Sequence, residues 1–315
     1  MENKSDPLVS IIIPAYNSAR FLRETLDSSL NQTYTRVEVI LVNDGSTDNT
    51  PDIVPEYSGR IVYINQDNSG LSAARNIGFL ASKGEYIVFL DADDVLLPHM
   101  IETLLPALLN DPSAGVAYGG YMQMDVNGMQ FGGSSMDKTS GMIFRDMIQN
   151  VADMPVGSLI IRRCVFAKSG IFDPMLCQLE DVDMWLRLAY YHKFVFVPEY
   201  IFVYRQSENS MSRRWAEREP ANRLIIKKWT VILEALNEPK QLIKPFRKRV
   251  RSHRTSQCIQ DAFIHYKAGH NHIALRKMIA GVIRDPRYLA NRGVVSILVR
   301  SMWGEFFKKQ PCIKK

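Results

Sequence analysis

Asp91, Asp93 and Asp94 follow directly on the apolar run YIVFL at 86–90. In extended backbone, side chains two residues apart point to the same side, so Asp91 and Asp93 are expected to converge on one site just past a strand end. Two hard carboxylates there suit Mg2+ or Mn2+, since Mg2+ commonly takes one or two protein carboxylates and completes its shell with substrate phosphates and water. The competing reading is a turn or a helix cap, for which Asp is equally suited. A second acidic group, Glu180, Asp181 and Asp183, opens a stretch with helical spacing. First-turn carboxylates gain ~0.3–1 kcal/mol from the helix dipole, so capping accounts for them as well as a general base at Asp181 does.

Two loops combine turn residues with groups that recognise nucleosides. Pro14-Ala15-Tyr16-Asn17 offers a ring that can stack on a base, and Asn43-Asp44-Gly45-Ser46-Thr47-Asp48 offers a carboxylate that can accept base or ribose hydrogen bonds. Arg75 can pair with a diphosphate or a base carbonyl, or simply form a surface ion pair. The sequence contains no GxxxxGK[ST], no GxGxxG after the first strand, and none of HExxH, GxSxG or the kinase motifs. Its six histidines form no spaced ligand set.

The elements that must position these residues alternate. Residues 9–15, 37–44, 60–66 and 85–92 read as strands. Between them 20–30, 50–57 (interrupted by Pro55) and 71–82 read as helices, with Asn17 expected to cap the first. Fully apolar strands alternating with helices imply a mainly parallel, Rossmann-like α/β sheet covered on both faces, with ligands beyond the carboxyl ends of its strands. Further on, 100–110 reads as a helix, 115–133 as a strand pair turning near Asn127-Gly128, 155–163 as a strand, 180–192 as a helix and 193–205 as paired strands. From about residue 215 the pattern is helical, beginning with a helix that has Pro220 at its start.

The chain has 315 residues, 46% hydrophobic and 23% charged, which excludes disorder as its main state. No apolar run reaches the ~18 residues a membrane span needs, and residues 1–8 lack the apolar middle of a secretory signal, so the chain is expected to stay where it is made. Four widely spaced cysteines without a CxxC signal neither disulfides nor zinc and fit a reducing compartment. The net charge of +6 conceals an asymmetry: residues 215–315 hold 22 Lys and Arg against 7 Asp and Glu, a net of +15, and residues 1–214 hold 17 against 26, a net of −9. The expected division is therefore a domain 1–214, with a nucleotide half of about 1–95 and an acceptor half of about 96–214, followed by a basic helical region 215–315. The basic part, with 244–251 and a last-helix stripe of Val294, Leu298, Met302 and Phe306 ahead of Lys308-Lys309, suits anionic lipid or simple packing of its apolar faces. No nucleic-acid reader module accompanies the charge.

Taken in order, SIIIPAYNSARFLRETLDSSLNQTY, VEVILVNDGSTD, SGLSAARNIGFLASKGEYIVFLDADD and LEDVDMWLRLAYYHKFVFVPEYIFVYRQSENSMS resemble the GT-A-fold, family 2 glycosyltransferases over residues 9–213. The resemblance implies an inverting transferase, cytoplasmic or peripheral on the inner face of a membrane. It would move a hexose or N-acetylhexosamine from a nucleoside-diphosphate sugar, most often a UDP-sugar, to a hydroxyl of a saccharide or lipid-linked acceptor in a bacterial surface-polysaccharide pathway, with Mg2+ or Mn2+. By the same resemblance Pro14, Ala15, Tyr16 and Asp44, with Asn17 in the same loop, match nucleoside-binding positions, and Arg75 matches the Arg of the "ARN" segment. Asp91 matches the ribose-side and Asp93 the metal-side carboxylate, and Asp181 matches the base of the "ED" motif beside Glu180. Ser207 stands where many relatives have a His near the diphosphate, so no role of that His carries over. Two other readings remain open at this stage: a non-catalytic sugar-nucleotide binder, and a Mg2+-dependent nucleotidyltransferase.

Overall fold

Val9–Ala15 forms the first strand, β1, and all seven of its residues are buried, as a strand covered on both faces must be. A computed structural model of the chain describes residues 6–150, 154–206 and 215–308. After β1 come α1 (Leu22–Leu30), β2 (Val37–Asp44), α2 (Thr50–Ile53), β3 (Val62–Gln66), α3 (Leu71–Ala81) and β4 (Tyr86–Phe89). β1 pairs in parallel with β2 and β4, and β2 with β3, giving the order β3-β2-β1-β4. Pro55 ends α2 early, and a 3-10 turn, Val54–Tyr57, completes that crossover. α3 lies tight on the sheet because Gly78 has no side chain: a Cβ there would stand 2.4 Å from Ile12 Cγ2.

The chain continues through β5 (Val95–Leu96), α4 (Met100–Leu109), β6 (Ala114–Met124), β7 (Gln130–Gly133), α5 (Phe144–Asn150), β8 (Leu159–Arg162), α6 (Phe166–Ser169), α7 (Glu180–Tyr191) and β9 (Lys193–Arg205). The sheet extends as β4-β8-β6-β9-β5, with β7 added on β6. Here β8 runs antiparallel to β4 and β6, while β9 is parallel to β6 and antiparallel to β5. The parallel character is thus concentrated in β3-β2-β1-β4. Residues 193–205, expected as two strands, form one. The register along β6 passes from Tyr118 opposite Phe196 to Gly120 opposite Tyr200, so the stretch holding Pro198, which has no N–H to give a ladder, bulges out instead of turning back.

The chain divides into two units, Met1–Arg214 with Arg223–Ile225, and Trp215–Asn222 with Ile226–Lys315. The sheet's core includes Val9, Ile11, Ile13, Val39, Leu41, Val88 and Leu90, covered by Leu22 and Leu26 of α1 and Leu104 and Leu108 of α4. The helices after residue 214 are α8 (Trp215–Ala235), α9 (Ile243–Lys267), α10 (Asn271–Arg284) and α11 (Arg292–Lys308). Pro220, expected at the start of α8, lies inside it. Ile259, Ala262, Met278, Val294 and Ile297 form a small core of α9, α10 and α11, with Leu298 packed against it. The last-helix stripe considered for lipid is thus turned inward at Val294 and Leu298, and the side chains of Met302 and Phe306, like Lys309, lie outside the described part. Among the described residues, no helix is long and apolar enough to cross a membrane.

Candidate active site

Beyond the carboxyl end of β4 the chain does not remain extended. Leu90 N–H still donates to Ile12 O at 3.0 Å, but Asp94 N–H donates to Asp91 O at 3.1 Å and closes a turn. The same-side rule for strands therefore does not apply here, and Asp91 and Asp94 have different partners. Asp91 accepts from Arg75 Nη2 at 2.6 Å. Asp94 is fully buried; its Oδ1 accepts the Arg205 N–H at 2.8 Å and its Oδ2 has no partner. Burial, then the charges of Asp93 and Asp91, hold its carboxyl well above the ordinary range. Asp93 is half-buried and pushed up to about 6, first by burial and then by the charge of Asp91. The acidic run is thus a turn, in which the charge of Asp91 raises the Asp93 carboxyl and that of Arg205 lowers it less.

Arg75 on α3 is 1% exposed. Its Nη1 donates to Glu180 Oε1 at 2.7 Å while Nη2 holds Asp91, and its guanidinium lies 5.0 Å from the centre of the Phe172 ring. Burial would lower its pKa, but the charges of Asp91 and Glu180 outweigh that and raise it. The expected role for Arg75, direct contact with a diphosphate or base, gives way to a structural one, because the cation is buried between two carboxylates. Glu180 is buried as well and pairs with Arg75, which ties the start of α7 to α3.

Asp181 follows Glu180 in the first turn of α7. Of the first-turn carboxylates Glu180, Asp181 and Asp183, Asp181 alone is not buried. Its Oδ1 accepts the Val182 N–H at 2.7 Å. Asp183 accepts from Arg187 Nε at 3.0 Å, one turn along. Leu179 before them has φ 63°, a left-handed conformation that costs a leucine about 1–2 kcal/mol and aims the start of α7.

The nucleoside-type loops are tied to each other. Pro14 and Ala15 end β1 buried, and the Tyr16 ring is 50% exposed. Asn17 does not cap α1, whose N-cap is Phe21. Its Oδ1 instead accepts the N–H groups of Thr47 at 2.8 Å and Asp48 at 3.3 Å, and its own N–H donates to Ser46 Oγ at 2.9 Å. Asp48 answers by accepting the Ala19 N–H at 3.1 Å. Asp44, expected to face a base, is buried and accepts Gln66 Nε2 at 2.7 Å and the N–H groups of Ser69 at 2.8 Å and Gly70 at 2.9 Å. It organises the turn into α3. Gly45, at φ 70°, lets the backbone of Asn68 approach to where a Cβ would be 2.7 Å away.

One residue with no assigned role from the sequence joins the acidic turn. Arg205, the last residue of β9, is 3% exposed; its Nε donates to Asp93 O at 2.8 Å, its Nη2 pairs with Glu24 of α1, and its guanidinium lies 4.3 Å from the Phe21 ring centre. In the sequence it closes an apolar strand and stands at the Arg of the segment in which Ser207 replaces the family's His. Ser207 lies outside the described residues. Among the described residues, no group of three or more His, Cys, Asp or Glu is arranged to hold a metal ion.

A sequence model of glycosyl transferase family 2 matches residues 10–168. An uncharacterized glycosyltransferase of Rickettsia typhi is 34% identical over 196 residues, 59% of this chain and 60% of that protein. Glycosyltransferase GlyA of Streptococcus pneumoniae is 32% identical over 228 residues, 68% of this chain and 32% of that protein. The chain thus spans about three fifths of the first relative's length and about a third of the second's. S. aureus TarS 1-349, solved in complex with UDP-GlcNAc, shares the α/β fold with a TM-score of 0.59 and 22% identity, over 77% of this chain and 72% of that one.

Proposed function

The chain belongs to glycosyl transferase family 2, and on that premise we propose that it is an inverting glycosyltransferase moving a sugar from a nucleoside-diphosphate sugar, first of all a UDP-sugar, to a hydroxyl of a saccharide or lipid-linked acceptor. The observation that carries this reading is the bridge made by Arg75. By holding Asp91 and Glu180 at once, it ties the acidic turn after β4, which carries Asp93, to the first turn of α7, which carries Asp181. The UDP-GlcNAc complex of TarS supports a UDP-sugar as the first donor to test.

Asp93 fits a divalent cation. A half-buried carboxylate whose ionised form is disfavoured by burial and by Asp91 is stabilised by an added positive charge. When bound, Mg2+ or Mn2+ would neutralise the diphosphate leaving group as a Lewis acid. The remaining work falls to the chain's own groups. Tyr16 offers its exposed ring to the base, and the backbone of Pro14 and Ala15 lines the strand end. Asp181 accepts the proton of the acceptor hydroxyl as it attacks opposite the leaving diphosphate, which inverts the anomeric carbon. Such general-base assistance is typically worth ~10²–10⁴-fold. Arg75 and Glu180 keep the start of α7 aimed, and Arg205 holds the Asp93 carbonyl.

A thermal-shift series with UDP, GDP and their sugars, with and without Mn2+, tests donor binding, since a ligand of the native state raises its stability with the logarithm of concentration over Kd. Product analysis then tests the reaction. Release of UDP from a UDP-sugar supports transfer; pyrophosphate release from a nucleoside triphosphate favours a nucleotidyltransferase instead, and binding without release favours a non-catalytic sugar-nucleotide protein.

A further inference from the structure

The helical unit carries apolar side chains that its own core does not use. On α10 the core takes Ala274, Met278 and Gly281, whereas Ile279 and Ile283, one turn apart on the other side, are 42% and 74% exposed. The 3-10 turn that follows, Pro286–Ala290, exposes Leu289. On α11 the core takes Val294 and Ile297, and Val295 and Val299, again one turn apart, remain exposed. Basic residues are interspersed: Arg276, Arg287, Arg292 and Arg300 are exposed, and across 271–301 Asp285 is the single acidic residue against six Lys and Arg.

Apolar side chains projecting from helices amid cations, with almost no acid nearby, are the composition of a surface that rests in the headgroup region of a bilayer. On such a surface isoleucines reach toward the acyl boundary while arginines meet anionic headgroups. We propose that the outer side of α10, the turn after it and the start of α11 dock on an anionic lipid surface. Charge complementarity singles out this occupant over an uncharged one. The residues concerned differ from the Val294 and Leu298 stripe, which the helical core consumes. The proposal does not depend on the sugar-transfer reading, and a lipid-linked acceptor would be the substrate best served by both.

Flotation of the full chain with vesicles of phosphatidylcholine alone, or with ~30 mol% phosphatidylglycerol, tests it. The expected result is binding to the anionic vesicles only, weakened by salt, and reduced about tenfold in the double variant Ile279→Ser, Ile283→Ser. The thermal transition and the shift produced by UDP should be unchanged in that variant, which separates loss of docking from loss of fold or donor site. No flotation with anionic vesicles, or equal flotation of the variant, overturns the proposal. So does a concentration-dependent dimer in light scattering that the variant abolishes, because the face would then be a contact between copies.

Discussion

The acidic rim has two parts that treat charge in opposite ways. Around Arg75, two carboxylates share one buried cation, and every charge has a neighbour of the other sign within 2.7 Å. One step along the same turn, Asp93 and Asp94 stand next to each other with Asp94 Oδ2 unpartnered and both carboxyls raised. The nearby cation, Arg205, reaches them through its N–H and through the Asp93 carbonyl while its guanidinium pairs with Glu24. The lesson concerns where to look for function in a buried acidic cluster. Paired charge builds the frame, and carboxyls raised by burial and like charge are where a ligand is to be sought.

The division can be broken by substitution. Asp181→Asn is expected to lower kcat about 10²–10⁴-fold with the donor KM unchanged. Glu180→Gln, which removes one partner of Arg75, should instead appear mainly in the melting curve; the reverse pattern would exchange the two roles. Arg75→Met leaves the buried Glu180 and the partly exposed Asp91 without their cation and should destabilise the fold by about 3 kcal/mol, readable by urea titration. Arg75→Lys, keeping charge but losing the fork, should recover only part of this.

Asp93→Asn is expected to act in opposite directions on binding and stability. Mn2+-linked donor affinity should be lost, whereas the metal-free protein should gain ~1–3 kcal/mol at pH 7. The sign follows from the raised pKa: the folded state holds the proton up to about 6, above the ordinary value of 3.8, so the wild type loses stability as pH rises from 4 through 6 and the Asn variant does not. Melting curves at pH 4 and pH 7 without metal should therefore converge at the lower pH. The smallest effect is expected from Asn17→Ala, which removes acceptors for Thr47 and Asp48 N–H. About 1–2 kcal/mol of stability, with a weaker UDP shift, would confirm that the tie matters to the loops.

Much of this was legible from residue order alone. The strands at 9–15 and 37–44 and the helix at 180–192 follow from apolar spacing, and the acidic turn after β4 follows from where the spacing stops. Side-chain direction was harder. The expected strand runs three residues past Phe89, where β4 ends, and a turn hydrogen bond from Asp94 N–H to Asp91 O closes there instead. Arg75 reads as a surface residue until the chain returns 105 residues later with Glu180. Asn17 looks like a cap because caps are the commonest local use of Asn, yet its partners lie 30 residues away. Such pairings depend on the fold bringing distant segments together, which local pattern does not encode. Residues 193–205 failed for another reason: Pro198 reads as a turn where the sheet accommodates it as a bulge.

The knot of bonds between Asn17, Ser46, Thr47, Asp48 and Ala19 has an evolutionary corollary. Loops that clasp one another cannot drift in length independently, because an insertion in either would leave the other's amides stranded. Descendants of this chain that accept a different nucleotide are therefore expected to change both stretches together, or neither.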